Sequence, residues 1–218
     1  MSHPSARGEI MTYILYGEPG SGSFTPEALL AEAGAEVEKK WLDLSRDEQL
    51  DENYKRVNPM GRVPTLILPD GTIMTESAAI ILTIAERHPE AELLPPPASR
   101  ERALAYRWMM FIASNIYEAV SREDYPARFT TDPAGADGIK EAATMELRRL
   151  WTLLDRTLNP SPYAIGDRFT ALDVYIANLS RWIVGAEWRA EHCPRLDRLA
   201  EAVAQRPKIA PIWRAHFG

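Results

Sequence analysis

With 218 residues, 45% of them apolar and 26% charged, the chain has the make-up of a soluble globular protein, long enough for one large domain or two small ones. A net charge of −6 speaks against the basic surplus that nucleic acid or an anionic membrane demands. Neither is expected as a partner, and an anionic ligand would need a local arrangement to hold it. A single cysteine, Cys193, excludes an internal disulfide and fits a reducing compartment.

Residues 1–10, MSHPSARGEI, lack an apolar core. They predict a flexible arm, neither a secretory signal nor a membrane anchor, with the fold opening at Met11. No run reaches a membrane-spanning length, and the expected location is cytoplasmic. Tyr13 to Tyr16 is a β-prone run ended by Gly17. A Gly- and Ser-rich loop, Glu18 to Phe24, leads into a helix with Thr25 as N-cap, Pro26 at its first position and Gly34 as C-cap. Lys39 to Leu44 reads as a second strand, and Ser45 to Val57 as a charged helix or loop. Asn58-Pro59-Met60-Gly61 is a turn. Thr65 to Leu68 and Thr72 to Met74 then read as two strands joined through Asp70-Gly71, a strong hairpin signal. Pro64 cannot donate to a ladder, so it marks an edge, a bulge or a cis bond. A helix opens at Thr75-Glu76-Ser77 and runs to about His88.

Consecutive prolines at 95–97 make a stiff connector and set a domain boundary. The expected division is a domain over 11–94, a linker over 95–99 and a helical domain over 100–218. In the latter, Leu104, Trp108, Phe111, Ile112, Ile116 and Val120 form a 3.6-period stripe. A turn-rich stretch from Tyr125 to Gly138 follows, then an amphipathic helix from Ile139 to Leu158. Thr170 and Asp173 form a capping box for a helix that is apolar on most sides, through Leu172, Tyr175, Leu179 and Ile183. That helix should be the buried centre, with Arg195 to Arg206 and Lys208 to Phe217 closing the bundle.

Val63-Pro64-Thr65-Leu66, a hairpin, and then Glu76-Ser77 at the head of an apolar helix resemble the glutathione-binding half of the cytosolic glutathione S-transferases. The order β-α-β-α-β-β-α is that of a thioredoxin-like domain, and the box-capped helix resembles the core of the family's all-helical second domain. The likeness spans residues 11 to about 215. It implies a cis Pro64, a Val63 backbone that pairs with the cysteinyl unit of glutathione, and Glu76 and Ser77 on the γ-glutamyl end. The last role has its own logic. Glu76 can accept from an ammonium group, while a hydroxyl and a free N–H at a helix start favour a carboxylate. Arg62 either approaches a glutathione carboxylate or is simply solvated.

A free thiol, with a pKa of about 8.5, is mostly unionised at neutral pH. Lowering that value by about one to two contributes roughly 1.4 to 2.7 kcal/mol of thiolate stabilisation. In the family the responsible donor sits in the loop after the first strand. Bacterial transferases of the beta type carry a cysteine there; the matching position is Gly22, so no mixed disulfide can form on it. The delta and theta types use a serine, and Ser21 after Pro19-Gly20 matches, with Ser23 an alternative. Either serine could equally serve turn chemistry alone. Tyr16, Phe24 and Tyr117 are candidates for lining a second-substrate pocket. Four scattered histidines and one cysteine suggest no metal site. The resemblance thus implies a homodimeric glutathione S-transferase of the serine-loop kind, using glutathione as cosubstrate against a small hydrophobic electrophile. The alternatives are a glutathione-binding or regulatory protein without catalysis, and a glutathione-dependent lyase, isomerase or peroxidase.

Overall fold

A computed structural model describes residues 12–182 and 185–218. The expected arm over 1–10, the opening at Met11 and Ile183 of the central helix lie outside the described residues. The chain forms two compact units, one of residues up to Glu90 together with Ile212–Gly218, the other Ala91–Pro211.

The first unit runs β1 (Tyr13–Gly17), α1 (Phe24–Ala33), β2 (Val37–Trp41), two 3-10 turns (Leu44–Arg46, Glu48–Leu50), α2 (Glu52–Lys55), β3 (Thr65–Ile67), β4 (Ile73–Met74) and α3 (Ser77–Arg87). The sheet order is β2-β1-β3-β4. β1 is parallel to β2 and antiparallel to β3, and β3 and β4 form the hairpin. The hairpin turn closes locally. Asp70 Oδ1 accepts from the Thr72 N–H at 2.9 Å, and the Gly71 N–H donates to the Leu68 carbonyl at 2.8 Å. Leu15 and Leu66 of the sheet, Leu29 and Leu30 of α1, and Ile80, Ile81 and Ile84 of α3 are wholly buried and form the core. This is the thioredoxin-like order expected from sequence.

The hairpin strands are each one residue shorter than expected, and two elements of this unit differ by two residues or more. The second strand is Val37–Trp41, not Lys39 to Leu44, because its register follows β1 from Tyr13↔Val37 to Gly17↔Trp41, and β1 stops at Gly17. The first helix begins at Phe24, so Thr25 lies one residue inside it. Ser23 stands at the N-cap position without capping, since its hydroxyl donates to the Glu18 carbonyl at 2.8 Å.

The second unit is helical: α4 (Arg100–Phe111), a π-turn (Ile112–Ile116), α5 (Tyr117–Asp124), short 3-10 pieces (Pro126–Phe129, Pro133–Gly135), α6 (Ala136–Leu158), α7 (Ala171–Ser180), α8 (Ala186–His192) and α9 (Pro194–Ala204). Helix α10 (Ala210–Phe217) follows, and from Ile212 it belongs to the first unit. The Ser114 hydroxyl donates to the Met110 carbonyl and the Asn115 amide to that of Phe111, side-chain bonds that compete with the helix ladder where it widens into the π-turn. All ten residues of α7 are buried, and its capping box is formed. Asp173 accepts from the Thr170 N–H and hydroxyl, and also from the Ala164 N–H at 2.7 Å, so the box fastens the preceding loop as well. Burial pushes the Asp173 carboxyl up to about 6 against those bonds. Among the described residues no helix is long and apolar enough to cross a membrane.

Candidate functional site

Register alone brings three loops to one end of the first unit's sheet. Tyr16, next to the last residue of β1, pairs with Thr65, the first of β3. Met74, the last of β4, pairs with Leu66. The loop Glu18 to Ser23, the turn Arg62 to Pro64 and the start of α3 at Glu76-Ser77 therefore share that edge.

The first loop is tight. A Cβ on Gly17 would come within 2.2 Å of the Ser23 side chain, so only glycine lets Ser23 fold back against the strand end. Gly20 has φ +84°, in the left-handed region. Ser21 and Ser23 both turn onto Glu18, their hydroxyls donating to its carbonyl at 2.7 and 2.8 Å. The Glu18 carboxylate in turn accepts from the Leu44 N–H at 3.2 Å. Ser23 is wholly buried, whereas Ser21 is half-buried.

The second loop carries a cis Val63–Pro64 bond. A buried network that sequence reasoning missed holds it. The Tyr54 hydroxyl and the Asn58 amide donate to the Arg62 carbonyl at 2.7 and 2.8 Å, and both also reach the Thr65 hydroxyl, at 2.8 and 3.1 Å. Burial pushes the Tyr54 phenol up, so it serves as a neutral donor. The only sequence signal was a tyrosine in an otherwise charged stretch, four residues before Asn58 of the Asn58-Pro59 turn. Pro64 is buried and Val63 half-buried, and neither the N–H nor the C=O of Val63 is hydrogen-bonded among the described residues. Arg62 is exposed and without an ion-pair partner among them.

At the head of α3, Glu76 has φ +63°, costly for any residue with a Cβ. Its exposed carboxylate and the half-buried Ser77 hydroxyl have no hydrogen-bond partner among the described residues. The Ser77 N–H, in the first turn, has no intrahelical acceptor. The end of the sheet thus offers a free peptide edge, an unpaired carboxylate, an unpaired helix start, an unpaired guanidinium and a half-buried hydroxyl. That set suits a short, extended, zwitterionic peptide.

The three aromatic candidates have different surroundings. Phe24 is wholly buried, packed against Trp213, His216 and Phe217 at 5.1 to 5.4 Å between ring centroids, and its ring presents no surface to a second substrate. Tyr16 is half-buried against Tyr54, with Lys40 over its ring. Tyr117 belongs to the second unit, half-buried beside Tyr175 and Trp182.

Another feature missed from sequence is a buried pair behind the first loop. His216 Nε2 lies 2.9 Å from Glu27 Oε2, and Lys39 reaches Glu27 Oε1 at 2.8 Å. Burial pushes the Glu27 carboxyl up, but the hydrogen bonds from His216 and Lys39 outweigh it, leaving the group below the usual carboxylate range. Among the described residues no three His, Cys, Asp or Glu side chains gather as metal ligands would.

The family model for the glutathione S-transferase N-terminal domain matches residues 23–87, and that for the C-terminal domain matches residues 126–212. The "Uncharacterized GST-like protein YncG" of Escherichia coli strain K12 is 32% identical over 203 residues, 92% of this chain and 96% of its own. The solved structure of a Sphingomonad glutathione S-transferase complexed with glutathione is 30% identical, with a TM-score of 0.77 over 93% of this chain and 98% of that one. A glutathione transferase homologue from Sulfitobacter, solved with bound glutathione, reaches a TM-score of 0.87 at 23% identity, over 94% and 98% of the two chains. At that identity the likeness is one of fold.

Proposed function

The chain belongs to the glutathione S-transferase family, and on that premise we propose that it binds glutathione at the end of the first unit's sheet and activates the thiol for attack on a small hydrophobic electrophile. The observation that carries this is the unbonded Val63 backbone lying at the same sheet edge as the strained, unpaired Glu76 and the start of α3. The Val63 N–H and C=O pair with the cysteinyl residue as a strand would. Glu76 takes the γ-glutamyl ammonium, Ser77 and its N–H take the adjacent carboxylate, and Arg62 takes the glycyl carboxylate. Ser21 donates its hydroxyl to the sulfur, favouring the thiolate. The thiol proton passes to water. A sulfur lone pair then forms the carbon–sulfur bond as the leaving group departs with its bonding pair. Positioning both reactants supplies the rest of the acceleration. Supported by the family resemblance, the protein acts as a cytoplasmic homodimer.

One observation favours a second reading, a glutathione-binding protein without thiol activation. Both candidate hydroxyls spend their protons on the Glu18 carbonyl. A conjugation assay with glutathione and a nitro-activated aryl chloride, beside calorimetric glutathione binding, separates the readings. Turnover with binding supports the transferase, and binding without thiol chemistry supports the second. Absence of binding overturns both.

A further inference from the structure

The end of α10 returns to the serine loop from 196 positions away. There the backbone N–H of Gly20 donates to His216 Nδ1 at 3.1 Å. An imidazole that accepts at Nδ1 and is neutral carries its proton on Nε2. Nε2 faces Glu27, whose second oxygen is held by Lys39. The carboxylate therefore selects the tautomer that leaves Nδ1 free to accept. A proton on Nδ1 would point at the Gly20 N–H and break the contact.

This arrangement is costly to build. The His216 and Glu27 side chains are only 1% and 5% exposed, and the imidazole lies edge-on to Phe24 and Trp41, at centroid distances of 5.4 and 5.9 Å. An apolar side chain would fill such an aromatic cage without the desolvation of a carboxylate and an imidazole. Besides pairing with Glu27, the imidazole binds the Gly20 N–H, in the Pro19–Gly20 peptide one residue before Ser21, as no apolar side chain could. That contact fastens one corner of the loop that carries the hydroxyl. The Ser21 N–H and hydroxyl both return to the Glu18 carbonyl, so the loop between 18 and 21 is a closed ring whose outer corner is Gly20.

We propose that His216 is a positioning residue for thiol activation: oriented by Glu27, it fixes Gly20 and so holds the Ser21 hydroxyl within reach of the glutathione sulfur. The inference rests on the transferase reading above. It adds the last helix to the loop's own hydrogen bonds as a determinant of the serine's placement, and it leaves the Val63, Glu76 and Ser77 contacts untouched. Loosening it therefore affects the thiol and not the grip on the peptide.

Two substitutions split the imidazole's two contacts. His216→Asn keeps an acceptor where Nδ1 stands and gives up the reach to Glu27. His216→Gln keeps the reach to Glu27 and offers Gly20 nothing. The readout is the pKa of bound glutathione, followed by thiolate absorbance, with glutathione affinity measured beside it. The asparagine variant should keep the lowered thiol pKa. The glutamine variant should return it toward the free value of about 8.5, with affinity changed little. A merely structural role would make the two variants behave alike, so equal thiol pKa values in both overturn the proposal. If neither variant folds, hydrogen exchange at the Gly20 amide of the ligand-free wild type decides. A protected amide is expected, and one that exchanges as freely as an unstructured glycine amide overturns the clamp. A wild type whose bound thiol is unshifted overturns this inference together with the transferase reading. A shifted wild type with a shifted glutamine variant overturns the inference alone.

Discussion

The hydroxyls of Ser21 and Ser23 lie 2.9 Å apart and converge on a single acceptor, the Glu18 carbonyl. The Ser21 N–H adds a third donor at 3.1 Å to an oxygen with two lone pairs. One hydroxyl can therefore turn away at little cost, and half-buried Ser21, not sealed Ser23, has the room to do so. Ser21→Ala is expected to lower kcat/KM by about 10- to 100-fold, the equivalent of roughly 1.4 to 2.7 kcal/mol. Ser23→Ala should cost only a few-fold, because the carbonyl then draws Ser21 back. Steady-state kinetics on both variants, with glutathione varied, check the ranking. An unimpaired Ser21→Ala beside a crippled Ser23→Ala would reverse the assignment.

Glu76 stands at φ +63° with an unpaired carboxylate, a strained residue held where its charge is available. Glu76→Gln should weaken glutathione binding by about 10-fold or more, since a charge-assisted bond is worth roughly 1.5 to 3 kcal/mol. Glu76→Gly should weaken it similarly while gaining about 1 kcal/mol of stability from relieved strain. Calorimetry and thermal melting on the two variants separate the effects. A glycine variant that binds normally would remove Glu76 from the site.

The Glu27 carboxyl titrates below its ordinary value because His216 and Lys39 outweigh the burial that opposes them. A group depressed on folding adds stability that is fully present above its unfolded value, about 4.5, and is lost as pH falls through its folded value. Wild type should therefore exceed Glu27→Gln in Tm by a constant margin above pH 5. Below about pH 4.5 that margin should narrow. Melting curves across pH 3 to 7 test the sign, and a margin that widened on acidification would contradict it.

Cys193 is 2% exposed, and burial, with Asp155 nearby, pushes its thiol up to about 12. Thiolate is the reactive form, so the native protein should ignore a disulfide reagent such as a dithiobis-nitrobenzoate. One thiol should appear on unfolding in denaturant. Rapid labelling of the folded protein would show that this region opens far more readily than its burial allows.

What sequence reveals here divides along contact range. The Asp70-Gly71 hairpin and the Thr170–Asp173 box were legible because each is closed by residues two or three positions apart. The limits of β2 were not, because its partner strand sets them. Nor was the start of α1, where Ser23 gives its hydroxyl to Glu18 and leaves the helix uncapped. Phe24 carried the look of a pocket residue in an open loop, but residues 213–217 come back to cover it. Asp155 offers the same lesson. It accepts from the Arg195 and Leu196 N–H groups at 2.8 and 2.9 Å, capping α9 from about forty residues away. Sequence motifs pointed to the sheet end where glutathione binding is proposed, and only tertiary structure located the groups that hold its loops in place.

Whether Ser21 lowers the pKa of a bound thiol is tested most directly by an ultraviolet pH titration of glutathione bound to wild type and to Ser21→Ala. The wild-type thiol is expected to titrate at about 7, below the free value of about 8.5, and to return to the free value in the variant. A bound thiol that titrates at the free value in the wild type would contradict that expectation and leave a protein that holds glutathione without activating it.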